Sequence, residues 1–271
     1  MPELPEVETV RRELDAWLPG REIKRAERVE APSGPKYAGL RRAAGQRIEG
    51  VDRRGKFLLL PLSRGDELVV HLGMTGVISD RDPGEHLRVK LTLSGRSRRH
   101  LYFQDVRRFG RFLVVKAGVY DGLPTLASMG PEPLEPAFNA EQLHAGLQRS
   151  TAPIKSCLLS QKPVAGLGNI YIDEALWRAR IHPRTAAKRV SKNKTTRLHE
   201  AIVNVLRASL EAKGTTLNDY RQVDGEEGEF AEQLDAYGRA GLPCRRCEHP
   251  LAHATIGQRS TCFCSRCQRK R

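Results

Sequence analysis

A proline directly behind the initiator methionine gives this chain a nucleophile that no ordinary side chain supplies. The chain opens Met1-Pro2-Glu3-Leu4-Pro5-Glu6-Val7-Glu8-Thr9, and an initiator methionine is commonly removed when the next residue is small. Removal leaves a secondary amine at the chain end, with acids beside it. An α-amino group has a reference pKa of about 7.7–8.0 against about 10.4 for lysine. Near neutral pH a sizeable fraction is therefore unprotonated, where lysine manages roughly one part in a thousand. Such an amine can attack a masked aldehyde. Pro2 and Pro5 equally suit the first turn of a helix, so position alone supports either use.

The second chemical signal is metal binding. Cys244-x2-Cys247 and Cys264-x2-Cys267 are separated by sixteen residues, inside the window for a four-cysteine zinc ribbon. Two knuckles on facing strands predict one closed, structural tetrahedron that folds a tail too short for its own core. Cys262, His249 and His253 are nearby donors, but each breaks the paired-knuckle symmetry. Cys157, in an apolar stretch, reads as a packed thiol. Residues 243–271 carry seven Lys or Arg against one acid, and Arg259 falls near the hairpin tip. There it is either a solvated charge or a hand for a phosphate.

Two loops add to this. Gly166-Leu167-Gly168-Asn169 lacks the third glycine and the preceding strand of a dinucleotide site. It suits a tight turn that presents backbone N–H groups and the Asn169 amide at a helix start, although the glycines also serve close packing. Phe103-Gln104-Asp105-Val106-Arg107-Arg108-Phe109-Gly110-Arg111 crowds arginines around an aromatic at a turn. That composition suits a wedge that unstacks a duplex beside an extruded base. Met74, in His71-Leu72-Gly73-Met74-Thr75-Gly76, is either a second wedge or core.

These residues need elements to hold them. Val7, Val10, Leu14 and Leu18 predict an amphipathic helix closed by Pro19-Gly20. Short β-type runs follow at 23–29, 48–51, 57–62, 68–72, 87–93, 101–103 and 112–115, and the alternation through 87–93 predicts a strand with one wet face. The expected fold class is therefore α+β and multidomain, with the first helix on a two-layer antiparallel β-sandwich. Gly130-Pro131-Glu132-Pro133-Leu134-Glu135-Pro136 reads as a linker. Beyond it a helical period takes over: Asn139 as a cap, a helix from Asn169, and a stripe of Leu198, Ile202, Val205, Leu206 and Leu210 ending at Gly214. Residues 215–230, with few apolar side chains, read as a long loop of the kind that carries function.

Composition bounds the partner. Among 271 residues, 46 Lys plus Arg oppose 32 Asp plus Glu, a formal charge of +14 with a pI near 9.9, which favours a polyanion. The acidic, polar start is no signal peptide, and no stretch approaches a membrane span. Paired cysteines without a secretory signal predict an intracellular, metal-binding use. The residues alone leave two classes open, an enzyme acting on DNA and a noncatalytic zinc DNA-binding protein.

Taken together, the motifs at 2–9, 71–75, 105–110, 166–171, Tyr237-Gly238-Arg239 and the ribbon through Gln258-Arg259 resemble the formamidopyrimidine-DNA glycosylase family, in the family's order and over essentially the whole chain. The resemblance implies a bifunctional glycosylase and abasic-site lyase of base excision repair. It would remove oxidised purines such as 8-oxoguanine and formamidopyrimidines through an N-terminal proline Schiff base and β,δ-elimination. Excision of oxidised pyrimidines, the sister branch's activity, is the alternative within the enzyme class. The implied catalytic residues are Pro2, Glu3 as proton donor and acceptor at the sugar, Glu6 supporting the amine, and Lys56. Lys155, Asn169 and Arg259 match phosphate contacts, while Met74, Arg107 and Phe109 match residues inserted into the DNA, Arg107 facing the orphaned cytosine. His71 and Tyr220 are counted with the DNA contacts. Cys244, Cys247, Cys264 and Cys267 would hold one structural zinc.

The implied domains are a catalytic sandwich at 1–130, a linker at 131–136, a helix-two-turn-helix domain at 137–240 bearing a lesion-binding loop at 215–230, and a zinc ribbon at 241–271. The expected protein is a cytoplasmic, nucleoid-associated monomer whose partner is double-stranded DNA with oxidised purines or abasic sites. Val106 departs from the family's frequent proline, and Cys262 from its frequent aromatic or apolar residue.

Overall fold

The computed structural model describes residues 1–216 and 221–270. Their contacts divide into two compact units, one of Met1–Ala127 with Ala212–Glu229, the other of Ser128–Glu211 with Phe230–Arg271.

The first unit is built on helix α1 (Leu4–Asp15) and eight strands, β1 (Ile23–Arg28), β2 (Asp52–Arg54), β3 (Phe57–Pro61), β4 (Asp66–His71), β5 (Gly76–Ser79), β6 (Leu87–Leu93), β7 (His100–Asp105) and β8 (Arg111–Lys116), with short helices α2 (Leu40–Ala43) and α3 (Pro124–Ala127). The strands form two four-stranded antiparallel sheets, ordered β1-β6-β7-β5 and β2-β3-β4-β8. Alternate residues turn inward from both, Val89, Leu91, Leu101 and Phe103 from one sheet and Leu58, Leu60, Leu68, Val70 and Phe112 from the other. Val7, Val10, Leu14 and Leu18 of the first helical stripe join that same core, as their spacing predicts.

Three details differ from the sequence pattern. Ile48 makes only an isolated bridge to Leu62, and the edge strand begins later, at Asp52. The four-residue strand β5 has too little alternation to be seen in sequence. Arg88, expected on the wet face of β6, is 1% exposed. The register between β6 and β7 shifts between Leu87 and Val89, a bulge that leaves the intervening residue out of alternation. Its guanidinium donates to the carbonyls of Asp105 and Glu30.

The described residues 215, 216 and 221–229, expected with the helical domain, group by their contacts with the first unit. Thr215 bridges to Glu229, and the amides of Thr215 and Val223 donate to Glu6 and Glu13 of α1, both at 2.7 Å. Val223 also joins the sandwich core.

The second unit contains α4 (Ala140–Gln148), α5 (Ile154–Leu159), α6 (Asn169–Arg178), α7 (Lys192–Glu211) and the hairpin β9 (Ala252–Ile256) and β10 (Arg259–Phe263). Asn139 caps α4 by accepting the Gln142 amide. The predicted α7 stripe is buried at Leu198, Ile202, Val205 and Leu206. The proline-rich segment is tied down, with the Pro131 carbonyl accepting the Ala165 amide. No helix among the described residues is long and apolar enough to cross a membrane.

Helix α6 carries two acids inside an apolar sequence. Glu174, fully buried, accepts the amides of Asp235, Ala236 and Tyr237 at 2.8–3.0 Å. Burial raises its pKa while those three donors oppose the rise. Glu174→Ala removes the buried acceptor shared by three backbone amides, so it should destabilise the second unit by about 3–5 kcal/mol, with a smaller loss for Glu174→Gln. Urea titration of both variants checks this.

Candidate functional site

In the first unit the site grows from the start of α1. Glu3 is the N-cap residue, and its amide donates to Glu6 Oε2 at 2.8 Å in a reciprocal capping box. The other Glu6 oxygen receives the Thr215 amide. Pro2, Glu3 and Glu6 are all buried while Met1 is exposed, and with Met1 in place the Pro2 nitrogen is an amide. Both acids thus sit at the positive end of a helix. Glu8, further along α1, binds Arg53, Arg11 and Arg12. Burial alone would raise its pKa, but hydrogen bonds from Arg53 and Arg12 and the charge of Arg11 hold it below the usual range.

Lys56 follows β2 in the tight turn into β3 and is buried. The His71 ring lies 4.7 Å from the Phe57 ring, and its Nδ1 accepts the Gly73 amide at 3.2 Å. Desolvation, then the charges of Lys56 and Arg111, push its pKa down to about 4. His71 is therefore a neutral acceptor that shapes the turn carrying Met74. Beside that turn, Phe109 is 49% exposed, with the Arg107 guanidinium 5.0 Å from its ring centroid. An apolar ring is thus held out in solvent next to a cation.

In the second unit, Gly166 adopts φ +81° and the turn is held from one side chain. Gln161 Oε1 accepts the Gly166 amide at 2.8 Å, and its Nε2 donates to the Leu167 carbonyl at 2.7 Å. Asn169 opens α6, and its Nδ2 donates to the Ser260 carbonyl at 3.0 Å. Arg259 opens β10 and is exposed, after a two-residue turn in which Gly257 and Gln258 both have positive φ, as such hairpins require. A Cβ on Gly257 would lie 2.6 Å from Ser156 Oγ, so the tip rests on α5.

Lys155, expected as a phosphate contact, lies beneath the surface. It is fully buried, and its ammonium donates to Asp173 Oδ1 at 2.6 Å and to the Ser260 carbonyl at 2.8 Å. The other Asp173 oxygen accepts the Cys262 amide. The pair therefore pins α5 and α6 to β10, directly behind Arg259. Tyr220 lies outside the described residues.

The sulfurs of Cys244, Cys247, Cys264 and Cys267 lie within 4.8 Å of one another, with Cys247 3.5 Å from Cys264 and 3.4 Å from Cys267. Four convergent thiols of this spacing fit one tetrahedral zinc. Cys262, His249 and His253 are not in the cluster formed among the described residues. His253 instead meets the Ser260 hydroxyl, and Cys262 is buried beside Asp173, its thiol pushed up by that burial. Arg246 stacks on Trp177 at 3.6 Å and closes the apolar side of the cluster.

Sequence reasoning gave no role to Gln161, Asp173 or Glu174, and took Thr75 and Asp105 only as members of the motifs at 71–75 and 105–110. For Asp173 and Glu174 the available signal was their adjacency in an otherwise apolar helix.

Comparison with known proteins covers both units. Residues 1–112 match the model described as formamidopyrimidine-DNA glycosylase N-terminal domain, residues 129–221 the formamidopyrimidine-DNA glycosylase H2TH domain, and residues 241–269 a zinc finger found in FPG and IleRS. The formamidopyrimidine-DNA glycosylase of Deinococcus radiodurans is 45% identical over 99% of this chain and 97% of its own. That of Thermus thermophilus is 45% identical over 99% and 98%. The crystal structure of the MutM (Fpg) protein from Thermus thermophilus superposes with a TM-score of 0.92 at 44% identity, covering all of both chains. A complex of Lactococcus lactis Fpg with abasic-site DNA superposes at 0.86 and 32% identity, covering 99% of this chain and all of the other.

His71 supplies a pH prediction. Its pKa is lower folded than unfolded, so its neutral form stabilises the fold fully above about 6.5, and that contribution is lost as pH falls from there toward about 4. An NMR titration should find His71 protonating near pH 4. The pH profile of stability should flatten between 6.5 and 4 in a His71→Gln variant.

Proposed function

The chain belongs to the formamidopyrimidine-DNA glycosylase family, and from that membership we propose how its own residues carry out the reaction. It is a DNA glycosylase and abasic-site lyase of base excision repair acting on oxidised purines in duplex DNA. The observation that carries the reading is Pro2 and Glu3 seated at the start of α1, with the Glu3 amide fixed by Glu6 at 2.8 Å.

Once Met1 is removed, the lone pair of the Pro2 nitrogen attacks C1′ of the extruded nucleotide. The glycosidic bond breaks, and the base departs with the bonding electrons and takes up a proton. Opening of the sugar gives an iminium ion, which stays cationic because a secondary amine keeps no proton to lose. That charge acidifies the C2′ hydrogen. Its removal expels the 3′ phosphate, and a second elimination expels the 5′ phosphate. Glu3 exchanges protons at the sugar. Glu6 supports the amine through the Glu3 backbone, and Lys56 supplies positive charge near the reacting centre.

Met74 and Phe109 fill the space left by the base, while Arg107 donates to the acceptors of the orphaned cytosine. Arg259 and Asn169 take phosphates, whereas Lys155 acts behind them by fixing the Ser260 carbonyl. One zinc ion on the four thiolates supplies no chemistry to the reaction, and its contribution is to hold the ribbon folded. The four-part division into sandwich, linker, helical domain and ribbon fits these roles, with residues 212–229 serving the first unit. Action on chromosomal DNA goes with a cytoplasmic location and attachment to the nucleoid through DNA, as a monomer.

Two measurements test the assignments. Borohydride should trap the processed wild type on abasic DNA, with trapping down by roughly 10²-fold in Pro2→Gly and absent from protein that keeps Met1. Trapping of Met1-bearing protein at the wild-type level would remove Pro2 from the mechanism. Arg259→Ala should weaken binding to all sequences and reduce the salt-dependence slope by about 0.9, one phosphate's worth.

A further inference from the structure

The turns that carry Met74, Arg107 and Phe109 share a buried support. Asp105, the last residue of β7, is fully buried. Its Oδ1 accepts the Thr75 hydroxyl at 2.6 Å, and its Oδ2 accepts the Gly110 amide at 2.7 Å. The Thr75 oxygen in turn accepts the Arg107 amide at 3.0 Å. The polarity of this chain is fixed, because an amide can only donate and the hydroxyl proton must then go to the carboxylate. The Asp105 backbone is held as well, its carbonyl by Arg88 Nε at 2.8 Å and its amide by the His86 carbonyl at 3.1 Å.

Backbone packing joins the turns a second time. A Cβ on Gly73, where φ is +69°, would lie 2.5 Å from the Gly110 nitrogen and 2.6 Å from the Phe109 carbonyl carbon. Residues 72–76 and 105–110 thus lie in backbone contact around one carboxylate. The 105–110 turn contains no proline, so its shape rests on these bonds and on Lys36, which donates to the Arg108 carbonyl at 2.6 Å.

We propose that Asp105 and Thr75 are positioning residues that hold Met74, Arg107 and Phe109 as one rigid insert, so that discrimination of the opposite base depends on a hydroxyl that does not touch the DNA. The proposal rests on the assignment of those three side chains to the DNA made above. Unstacking a base step costs free energy, and a wedge whose backbone yields is pushed back instead of separating the bases. A wedge ordered before binding also avoids the entropy of ordering at that moment. Arg107 is the sensitive member, since its own amide hangs on Thr75 and its guanidinium must meet a base edge within hydrogen-bond tolerance.

The test uses full-length, Met1-processed, zinc-loaded protein. Thr75→Val replaces the hydroxyl with a methyl and leaves the Arg107 amide and Asp105 Oδ1 without it, whereas Thr75→Ser keeps the relay. Three rates are read: single-turnover excision of 8-oxoguanine opposite cytosine, the same opposite adenine, and lyase cleavage of a single-stranded abasic oligonucleotide, which offers no opposite base and no stack to open. Thr75→Val should slow duplex excision opposite cytosine by about tenfold and compress the cytosine-to-adenine ratio by about threefold or more. Single-strand cleavage should fall by less than about twofold, and Thr75→Ser should track the wild type in all three.

The proposal is overturned if Thr75→Val keeps both the duplex rate and the ratio, or if Thr75→Ser behaves like Thr75→Val. It is also overturned if single-strand cleavage falls in proportion to duplex excision, because Thr75 would then merely support the fold. A wild type that cleaves abasic DNA yet ignores the opposite base removes the Arg107 assignment, and this proposal with it. A wild type that cleaves nothing refutes the Pro2 mechanism.

Discussion

Glu6 makes the two hydrogen bonds on which the N-terminal site depends. One oxygen accepts the Glu3 amide and the other accepts the Thr215 amide, with all three residues buried. A carboxylate so placed has lost most of its water, a cost that donors aimed at it must offset. The helix start supplies one donor and the positive end of a dipole, and the returning segment supplies the second. The Glu3 backbone is therefore tied through one carboxylate to Thr215. Glu13 repeats the device two turns along, where it accepts the Val223 amide. There burial and the neighbouring Asp224 raise the carboxyl against the donor that lowers it.

The same device recurs at three other irregular segments. Asp105 ties the two wedge turns, Asp173 ties Lys155 to the Cys262 amide, and Glu174 gathers three consecutive backbone donors. Backbone outside a helix or sheet has no ladder to pair with, and buried unpaired amides are costly. An ionised carboxylate offers acceptors on both oxygens and no donor that could clash with an amide, which an asparagine or glutamine cannot match. The apolar cores give these units their stability, while the acids fix where the loops stand.

This division decides what could be read in the sequence. The first helix, strand β6 and helix α7 were legible because one face of each is buried and the period shows it. The cysteine cluster was legible because its ligands come as local pairs. Arg88 was misread because a bulge defeats alternation, and the run at 48–51 because apolar residues close a core there without pairing as a strand. The partners at the joints were not legible: Asp173 meets Cys262 from 89 residues away, and Glu6 meets Thr215 from 209. No local pattern encodes such a partner. Lys155 shows the converse, a basic residue that position alone assigns to a phosphate but whose ammonium the fold consumes internally.

Net charge must accordingly be divided before it is used as evidence of a polyanionic partner. Of the cations prominent in this chain, Lys56, Arg88 and Lys155 are buried, and Arg53 is nearly so while paired with Glu8. Their charge still contributes to the long-range field that draws DNA in. Buried in this way, they offer a phosphate little surface on which to displace a counterion. Exposed cations such as Arg259 offer more. The formal +14 of the composition thus measures attraction at a distance, and the exposed arginines and lysines set the grip.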